Sequence, residues 1–149
     1  MDIGSNNNGV SGRLSNFTPR PFIFDGVECN SMEGLLQSFK FDKEHIQVEV
    51  CKLTGMAAKK RGSKRNKAWK SKQVLWWKGK EYKRESDEYN MLLSRAFWEL
   101  YNGNEKFKKD LKSTGKATLT HSIGKSKKSE TVLTEVEFCS RLMRLRDFF

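Results

Sequence analysis

The chain has 149 residues, and its 29 Lys and Arg residues outnumber its 18 Asp and Glu residues, giving a formal net charge of +11. This length suits a single domain, and the charge favours an anionic partner over a neutral one. No apolar run reaches membrane-spanning length and no signal-peptide core is present, so we expect a cytoplasmic protein with no membrane partner.

The predicted elements begin after a polar N-terminal stretch. Residues 1–12 carry three Asn and little apolar content, which predicts a flexible arm before one domain over residues 13–149. Two short apolar runs then flank Asp25-Gly26, a pair typical of a two-residue hairpin turn. Ser31 is a good helix N-cap, and apolar residues recur behind it at helical spacing. Glu33 therefore lies in the first helical turn, beside amides without intrahelical partners.

The rest of the chain is predicted to be mostly helical. Cap residues begin four further helices, and these caps are Thr54, Ser86, Asn104 and Thr134. Gly62, Asn102-Gly103 and Gly115 end the first three. Residues 117–120 predict a short strand, and Thr134 has capping-box spacing to Glu137. We expect an α+β domain, mainly helical, with a small sheet around the first hairpin.

The positive charge is concentrated in residues 59–84. This segment holds twelve Lys and Arg residues against the single acid Glu81, with Trp69, Trp76 and Trp77 among them. Basic side chains attract phosphates and aromatic faces stack on bases, so the segment favours a nucleotide or nucleic-acid surface. The alternative is a solvated basic loop whose tryptophans only anchor it to the core.

Three cysteines, Cys29, Cys51 and Cys139, lie far apart without a CxxC motif or a Cys/His cluster. This spacing indicates neither a structural zinc site nor a disulfide framework, so we expect reduced, buried cysteines and no metal. A catalytic thiol would need a nearby histidine, and nothing in the sequence joins His45 or His121 to a particular cysteine.

The opening segment and the motifs after it resemble the NADAR superfamily. The segment shows SNF, a Pro-apolar strand, an Asp-Gly turn, Ser-x-Glu, a Gln four residues after that Glu, and Lys-Phe. The matching residues are Ser15, Asn16, Phe17, Pro21, Phe22, Asp25, Gly26, Ser31, Glu33, Gln37, Lys40 and Phe41. Later matches follow in order at residues 55–59, 76–77, 91–97, 111–115, 119–121 and 142–146.

The resemblance implies a YbiA-like fold, a hydrolase activity and no cofactor. The superfamily includes N-glycosidases of riboflavin-pathway intermediates and enzymes that remove ADP-ribose from guanine bases. It therefore implies cleavage of a ribose–nitrogen bond in an anionic nucleotide-like substrate, with ADP-ribose on guanine in DNA favoured over a phosphorylated ribosylamino-pyrimidine. Nucleic acid is a further candidate partner, through residues 59–84.

Glu33 occupies the acid position of the superfamily's Ser-x-Glu motif and is the expected catalytic residue. A fixed carboxylate stabilises the positive charge that grows on the ribose as the base departs. The competing interpretation is a helix-capping acid, which contributes only about 0.3–1 kcal/mol through the helix dipole.

The resemblance also suggests the substrate-binding residues, each with a plainer alternative. Asn16 is a ribose contact or a turn former, and Lys40 and Lys59 are phosphate contacts or exposed lysines. One of Trp76 and Trp77 would stack on the departing base, and His121 lies in a matching motif.

The C-terminal part departs from the superfamily pattern. Many members place a Trp, often followed by an acid, between the His-containing segment and the last helix. Here residues 122–130 contain no Trp, and Glu130 or Glu135 would have to replace the acid. Two other classes therefore stay open: a noncatalytic module that binds ADP-ribose, NAD-related ligands or nucleic acid, and a plain basic nucleic-acid-binding protein.

Overall fold

A computed structural model describes residues 1–149 and contains eight α-helices and two antiparallel hairpins. The elements in chain order are α1 Gly9–Arg13, β1 Phe22–Phe24, β2 Val27–Cys29, α2 Met32–Ser38, α3 Glu44–Cys51, α4 Gly55–Ser63, α5 Asn66–Lys72, β3 Val74–Trp77, β4 Lys80–Lys83, α6 Asp87–Gly103, α7 Glu105–Ser113 and α8 Glu135–Phe148. The predicted α+β, mainly helical class is confirmed.

The first hairpin forms where the sequence predicts it. Phe22 pairs with Cys29 and Phe24 with Val27. Asp25 and Gly26 both have positive φ, at 48° and 80°, as a two-residue turn between twisted strands requires. The hairpin faces the core with its aromatic residues, so it fixes the entry of the chain into α2.

The basic segment folds into α4, α5 and a second hairpin, β3–β4, and is not a loop. Trp69 and Trp77 anchor it to the core, as the alternative interpretation expected. Leu75 pairs with Tyr82 in this hairpin. Its turn residues Lys78 and Gly79 have φ values of 48° and 83°. Helix α3, helix α5 and this hairpin were not expected from the sequence.

A single apolar cluster of 29 buried residues holds the elements together, with α6 packed against β1, α7 and α8. Trp77 contributes to it, since its ring stacks on Phe24 and meets Phe39 edge to face. All three cysteines are buried, as predicted. No helix has the length and apolar character needed to cross a membrane.

Four of the predicted helix caps act as expected. Ser31, Ser86, Asn104 and Thr134 each accept a backbone N–H in the first turn, and Thr134 forms the full capping box with Glu137. Thr54 precedes α4 but makes no side-chain capping bond, and α4 continues past Gly62 to Ser63.

The first residues of the chain are packed against the domain, although the sequence predicts a flexible arm over residues 1–12. Ile3 is fully buried in the core, and residues 9–12 fall in α1. Asp2 forms a parallel bridge with Thr120, which is the only β pairing of the strand predicted over residues 117–120. The composition of residues 1–12 does not reveal these contacts, because they depend on only two residues, Ile3 and Asp2.

Candidate active site

One pocket collects most of the predicted site residues. The N-terminal segment, the turn before β1, α2, α4, α5, the loop after residue 120 and the start of α8 all contribute to its wall. Five of the seven predicted residues line it, and these are Asn16, Glu33, Lys40, Lys59 and His121.

Glu33 is held in this pocket by its backbone and its side chain. Ser31 caps α2, and the Glu33 amide donates to the Asn16 carbonyl at 3.0 Å, which ties α2 to the turn before β1. Its Oε1 accepts a 2.8 Å hydrogen bond from Gln37 Nε2. Burial raises the pKa of Glu33, while the Gln37 hydrogen bond and the charges of Lys40 and Lys59 act in the opposite direction.

Gln37 is locked in place from the other side by Gly62 of α4. A Cβ built on Gly62 would lie 1.7 Å from Gln37 Oε1, so only glycine leaves room for this amide. Gln37 Oε1 is buried without a hydrogen-bond partner. The side-chain amide of Gln37 thus orients Glu33. Leaving its Oε1 buried without a donor costs folding free energy.

Lys40 is a buried cation without a carboxylate partner within salt-bridge distance. Its Nζ donates to Asn66 Oδ1 at 2.7 Å, and Trp69 Nε1 donates to the same oxygen at 3.4 Å. Burial lowers the pKa of Lys40 to about 8, an effect that Glu33 opposes and the charge of Lys70 reinforces.

More positive charge surrounds Lys40 at the pocket. Lys59 and Lys125 line the wall and also depress the pKa of Lys40. Lys70 is partly neutralised by Glu130, which lies 3.4 Å away and lines the pocket itself. The net field of the pocket favours an anion, and an anion bound there would relieve the repulsion among these lysines.

His121 closes the pocket beside α8. Its Nδ1 lies 2.7 Å from the Ile3 carbonyl oxygen, and its ring meets Phe138 edge to face at 5.4 Å between centroids. The strand predicted over residues 117–120, just before His121, is reduced to the bridge between Asp2 and Thr120, and the N-terminal segment holds His121 in place.

The two tryptophans that the resemblance pointed to lie outside the pocket wall. Trp77 is buried in the core, where its Nε1 donates to Asp25 Oδ2 at 2.9 Å. Trp76 is half-buried on β3 and pairs with Glu81 across the hairpin. Trp69 of α5 lines the pocket instead. Both tryptophans belong to β3, a strand that was not predicted, and neighbouring residues of a strand face opposite sides.

Sequence reasoning also missed Asn66 and the apolar wall formed by Val132, Leu133 and Phe138. The Gln four residues after Glu33 was visible as part of the motif, and α2 explains its role, because residues four apart share a helical face. The structure contains no group of three or more His, Cys, Asp and Glu side chains that could hold a metal ion.

Comparisons with known proteins agree with this fold. The NMR structure of the E. coli protein YbiA, a NADAR-family fold, superposes with a TM-score of 0.62 at 17% identity, covering 97% of this chain and 80% of that one. The likeness establishes the fold, and it confirms the YbiA-like architecture that the resemblance implied.

The sequence comparisons point to phages. An uncharacterized 17.1 kDa protein in the Gp30-rIII intergenic region of Enterobacteria phage T4 is 34% identical over 148 residues, which cover 99% of this chain and 97% of the T4 protein. The family model of bacteriophage protein GP30.3 matches residues 9–147. The chain therefore belongs to the bacteriophage protein GP30.3 family.

Proposed function

We propose that this protein is an N-glycosidase of the NADAR type, which hydrolyses the bond between a ribose and a nitrogen of an anionic nucleotide-like substrate. The observation that carries the proposal is the presence in one pocket of Glu33, fixed by Gln37, and of Lys40, a buried cation without a salt-bridge partner. An acid for the ribose and a charge for a phosphate are the two requirements of this chemistry.

Glu33 supplies the first requirement. As the C1–N bond breaks, positive charge grows on the ribose ring, and a carboxylate below C1 stabilises it. The same carboxylate accepts a proton from the water that attacks C1. The raised pKa of Glu33 makes the group a better base than an exposed glutamate, provided that it stays ionised at the working pH.

Lys40 and its neighbours supply the second requirement. Three more lysines act on Lys40 through their charge, and they are Lys59, Lys70 and Lys125. A diphosphate would exchange this repulsion for charge-assisted hydrogen bonds. Asn16 lines the same wall and offers an amide to a ribose hydroxyl.

The charge of the pocket favours ADP-ribose on a nucleobase, with guanine in DNA as the leading version. A phosphorylated ribosylamino-pyrimidine is the smaller alternative within the same chemistry. The basic helices α4 and α5 beside the pocket support a polymer-borne substrate, because exposed Lys60, Lys64 and Lys67 would follow a phosphate backbone.

The test compares the wild-type protein with Glu33→Gln on DNA carrying ADP-ribosylated guanine and on a ribosylamino-pyrimidine phosphate. Release of the ribosyl product is followed by mass spectrometry. We expect Glu33→Gln to lose about 10²–10⁴-fold in rate while it keeps its fold and its affinity for ADP-ribose.

Glu28→Gln is the matched control, since Glu28 is an exposed glutamate of β2. It should turn over at the wild-type rate. If ADP-ribose binds but neither the wild type nor a variant turns over either substrate, the protein is a noncatalytic binding module and not an enzyme. Salt-dependent binding of unmodified DNA without preference for ADP-ribose would favour the plain nucleic-acid-binding protein.

A further inference from the structure

The N-terminal segment determines which ring nitrogen of His121 is free to exchange a proton with a substrate. Nδ1 lies 2.7 Å from the Ile3 carbonyl oxygen, and a carbonyl oxygen only accepts hydrogen bonds. Nδ1 therefore carries a proton whether the ring is neutral or charged. Nε2 has no hydrogen-bond partner within the protein, and the ring lines the same pocket as Glu33. Nε2 is left as the one nitrogen of His121 that exchanges protons with a bound molecule.

A second set of contacts clamps the backbone on both sides of this histidine. The Asp2 carboxylate accepts from Thr120 Oγ1 at 2.9 Å, from the Ser122 amide at 2.8 Å and from Ser122 Oγ at 2.6 Å. Ile3, which provides the carbonyl, is fully buried. Asp2 and Ile3 thus hold His121 as one unit.

The ring itself has little freedom. Phe138 packs against it at an interplanar angle of 83°. A Cβ on Gly124 would lie 2.5 Å from His121 Cδ2, so the loop passes directly over the ring edge next to Nε2. Such fixation is what proton transfer at a set position requires, and a histidine that only filled space would not need its tautomer set.

The pocket lining is apolar in part, and Phe138 of this apolar part packs against His121, whereas several lysines act on Lys40. Val132 and Leu133 add further apolar side chains to the lining. A flat nucleobase fits an apolar wall, and the phosphates fit the lysines. A substrate placed in this way brings its glycosidic nitrogen to the side of His121.

We propose that His121 donates the proton to the leaving nitrogen, and that Asp2 and the Ile3 carbonyl are its positioning groups. This role rests on the glycosidase function proposed above. The C1–N bond breaks with its electron pair on nitrogen, and the Nε2 proton of the imidazolium moves to that nitrogen. The water oxygen bonds to C1, and its proton goes to Glu33. Solvent then reprotonates His121 and deprotonates Glu33.

The first arm of the test varies the leaving group. A nucleobase leaves poorly without a proton, whereas 4-nitrophenolate is stable as an anion and needs none. We expect His121→Gln to lose about 10²–10⁴-fold on the nucleobase substrate, but less than about tenfold on the 4-nitrophenyl riboside of the same phosphorylated sugar. His45→Gln, which changes the other, exposed histidine, should match the wild type on both.

The second arm reads the tautomer without turnover. Only two histidines are present, so ¹⁵N NMR of His45→Gln shows His121 alone. The neutral ring should carry its proton on Nδ1. In Asp2→Ala the neutral His121 ring should populate both tautomers, and only the hydrolysis of the nucleobase substrate should become slower. Glu28→Gln should change neither the tautomer nor the rate.

Three results would overturn this role: equal losses of His121→Gln on both substrates, no loss on either, or a neutral ring protonated on Nε2. Turnover by the wild type combined with any of them would leave the glycosidase standing without this proton donor. A wild-type protein that releases neither leaving group would remove the glycosidase, and the donor role with it.

Discussion

Arg84 and Lys40 are both buried cations of this domain, and their surroundings differ. Arg84 donates to the Thr131 carbonyl at 2.8 Å and to both Glu137 oxygens at 3.2 and 2.6 Å. Lys40 has one neutral partner, Asn66 Oδ1. Arg84 has a carboxylate partner at hydrogen-bond distance and serves the fold, whereas Lys40 has no carboxylate within salt-bridge distance and Glu33 acts on it only through its charge. A buried charge without a close partner is costly, and for this reason the proposed function places an anion beside Lys40.

Loss of Arg84 should be the largest change in stability. Arg84→Met leaves Glu137 buried without its cation, and we expect a loss of about 3–5 kcal/mol in the free energy of unfolding. Urea unfolding followed by circular dichroism measures it. Arg61→Met is the control, because Arg61 pairs with exposed Glu49 and should cost less than about 1 kcal/mol. Equal losses of unfolding free energy in the two variants would show that the buried pair stabilises the fold no more than the exposed pair.

Lys40, unlike Arg84, should lower the stability of the fold while it is charged. Its effect on stability should therefore depend on pH. Its folded pKa of about 8 lies below the unfolded value, so between these values the unfolded state binds more protons and stability rises with pH. We expect a rise of up to roughly 3 kcal/mol above pH 8 in the wild type. Lys40→Met should lack this rise and also lose affinity for pyrophosphate. An identical pH profile in both proteins would show that Lys40 is already neutralised.

Gly62 tests whether the orientation of Glu33 depends on its support. Gly62→Ala places a methyl group on Gln37 Oε1, so Gln37 must move away from Glu33, at a cost of about 1–3 kcal/mol. Turnover should fall with little change in affinity for ADP-ribose. Gly103→Ala is the control, because its Cβ would meet Phe22 at an ordinary 3.4 Å. Unchanged turnover in Gly62→Ala would show that the position of Gln37 does not contribute to catalysis.

The tryptophans should give the smallest effects. Trp69→Phe removes the N–H that shares Asn66 with Lys40, and we expect ADP-ribose affinity to fall by about 1 kcal/mol in calorimetry. Trp76→Phe should leave the affinity unchanged, since Trp76 lies outside the pocket wall. The reverse result would restore the stacking role that the sequence suggested for Trp76.

Local chemistry made much of the fold predictable. The Asp25-Gly26 turn and the caps at Ser31, Ser86, Asn104 and Thr134 depend on residues within a few positions of one another, and all five occur. Helix α5 and the hairpin β3–β4 were missed because lysines dominate their sequence, and the buried faces of Trp69 and Tyr82 were hidden among them. Tertiary packing overrode the composition there.

The candidate site divides along the same line. Glu33 and Gln37 lie four residues apart on one helix, so the motif already held their relation. Trp69 lines the pocket where Trp76 and Trp77 do not, and this depends on how α5 and the unpredicted strand β3 pack. The contact between Ile3 and His121 joins residues 118 positions apart, and no local pattern encodes it.

The contacts that Asp2 makes around His121 also bear on how the protein folds. Asp2 is separated from its partners Thr120 and Ser122 by 118 and 120 positions. The clamp on His121 therefore joins distant parts of the domain, and contacts of such long range form slowly. Fragments that end before residue 120 lack both the clamp and His121. The proposed chemistry thus depends on distant parts of the domain being folded together.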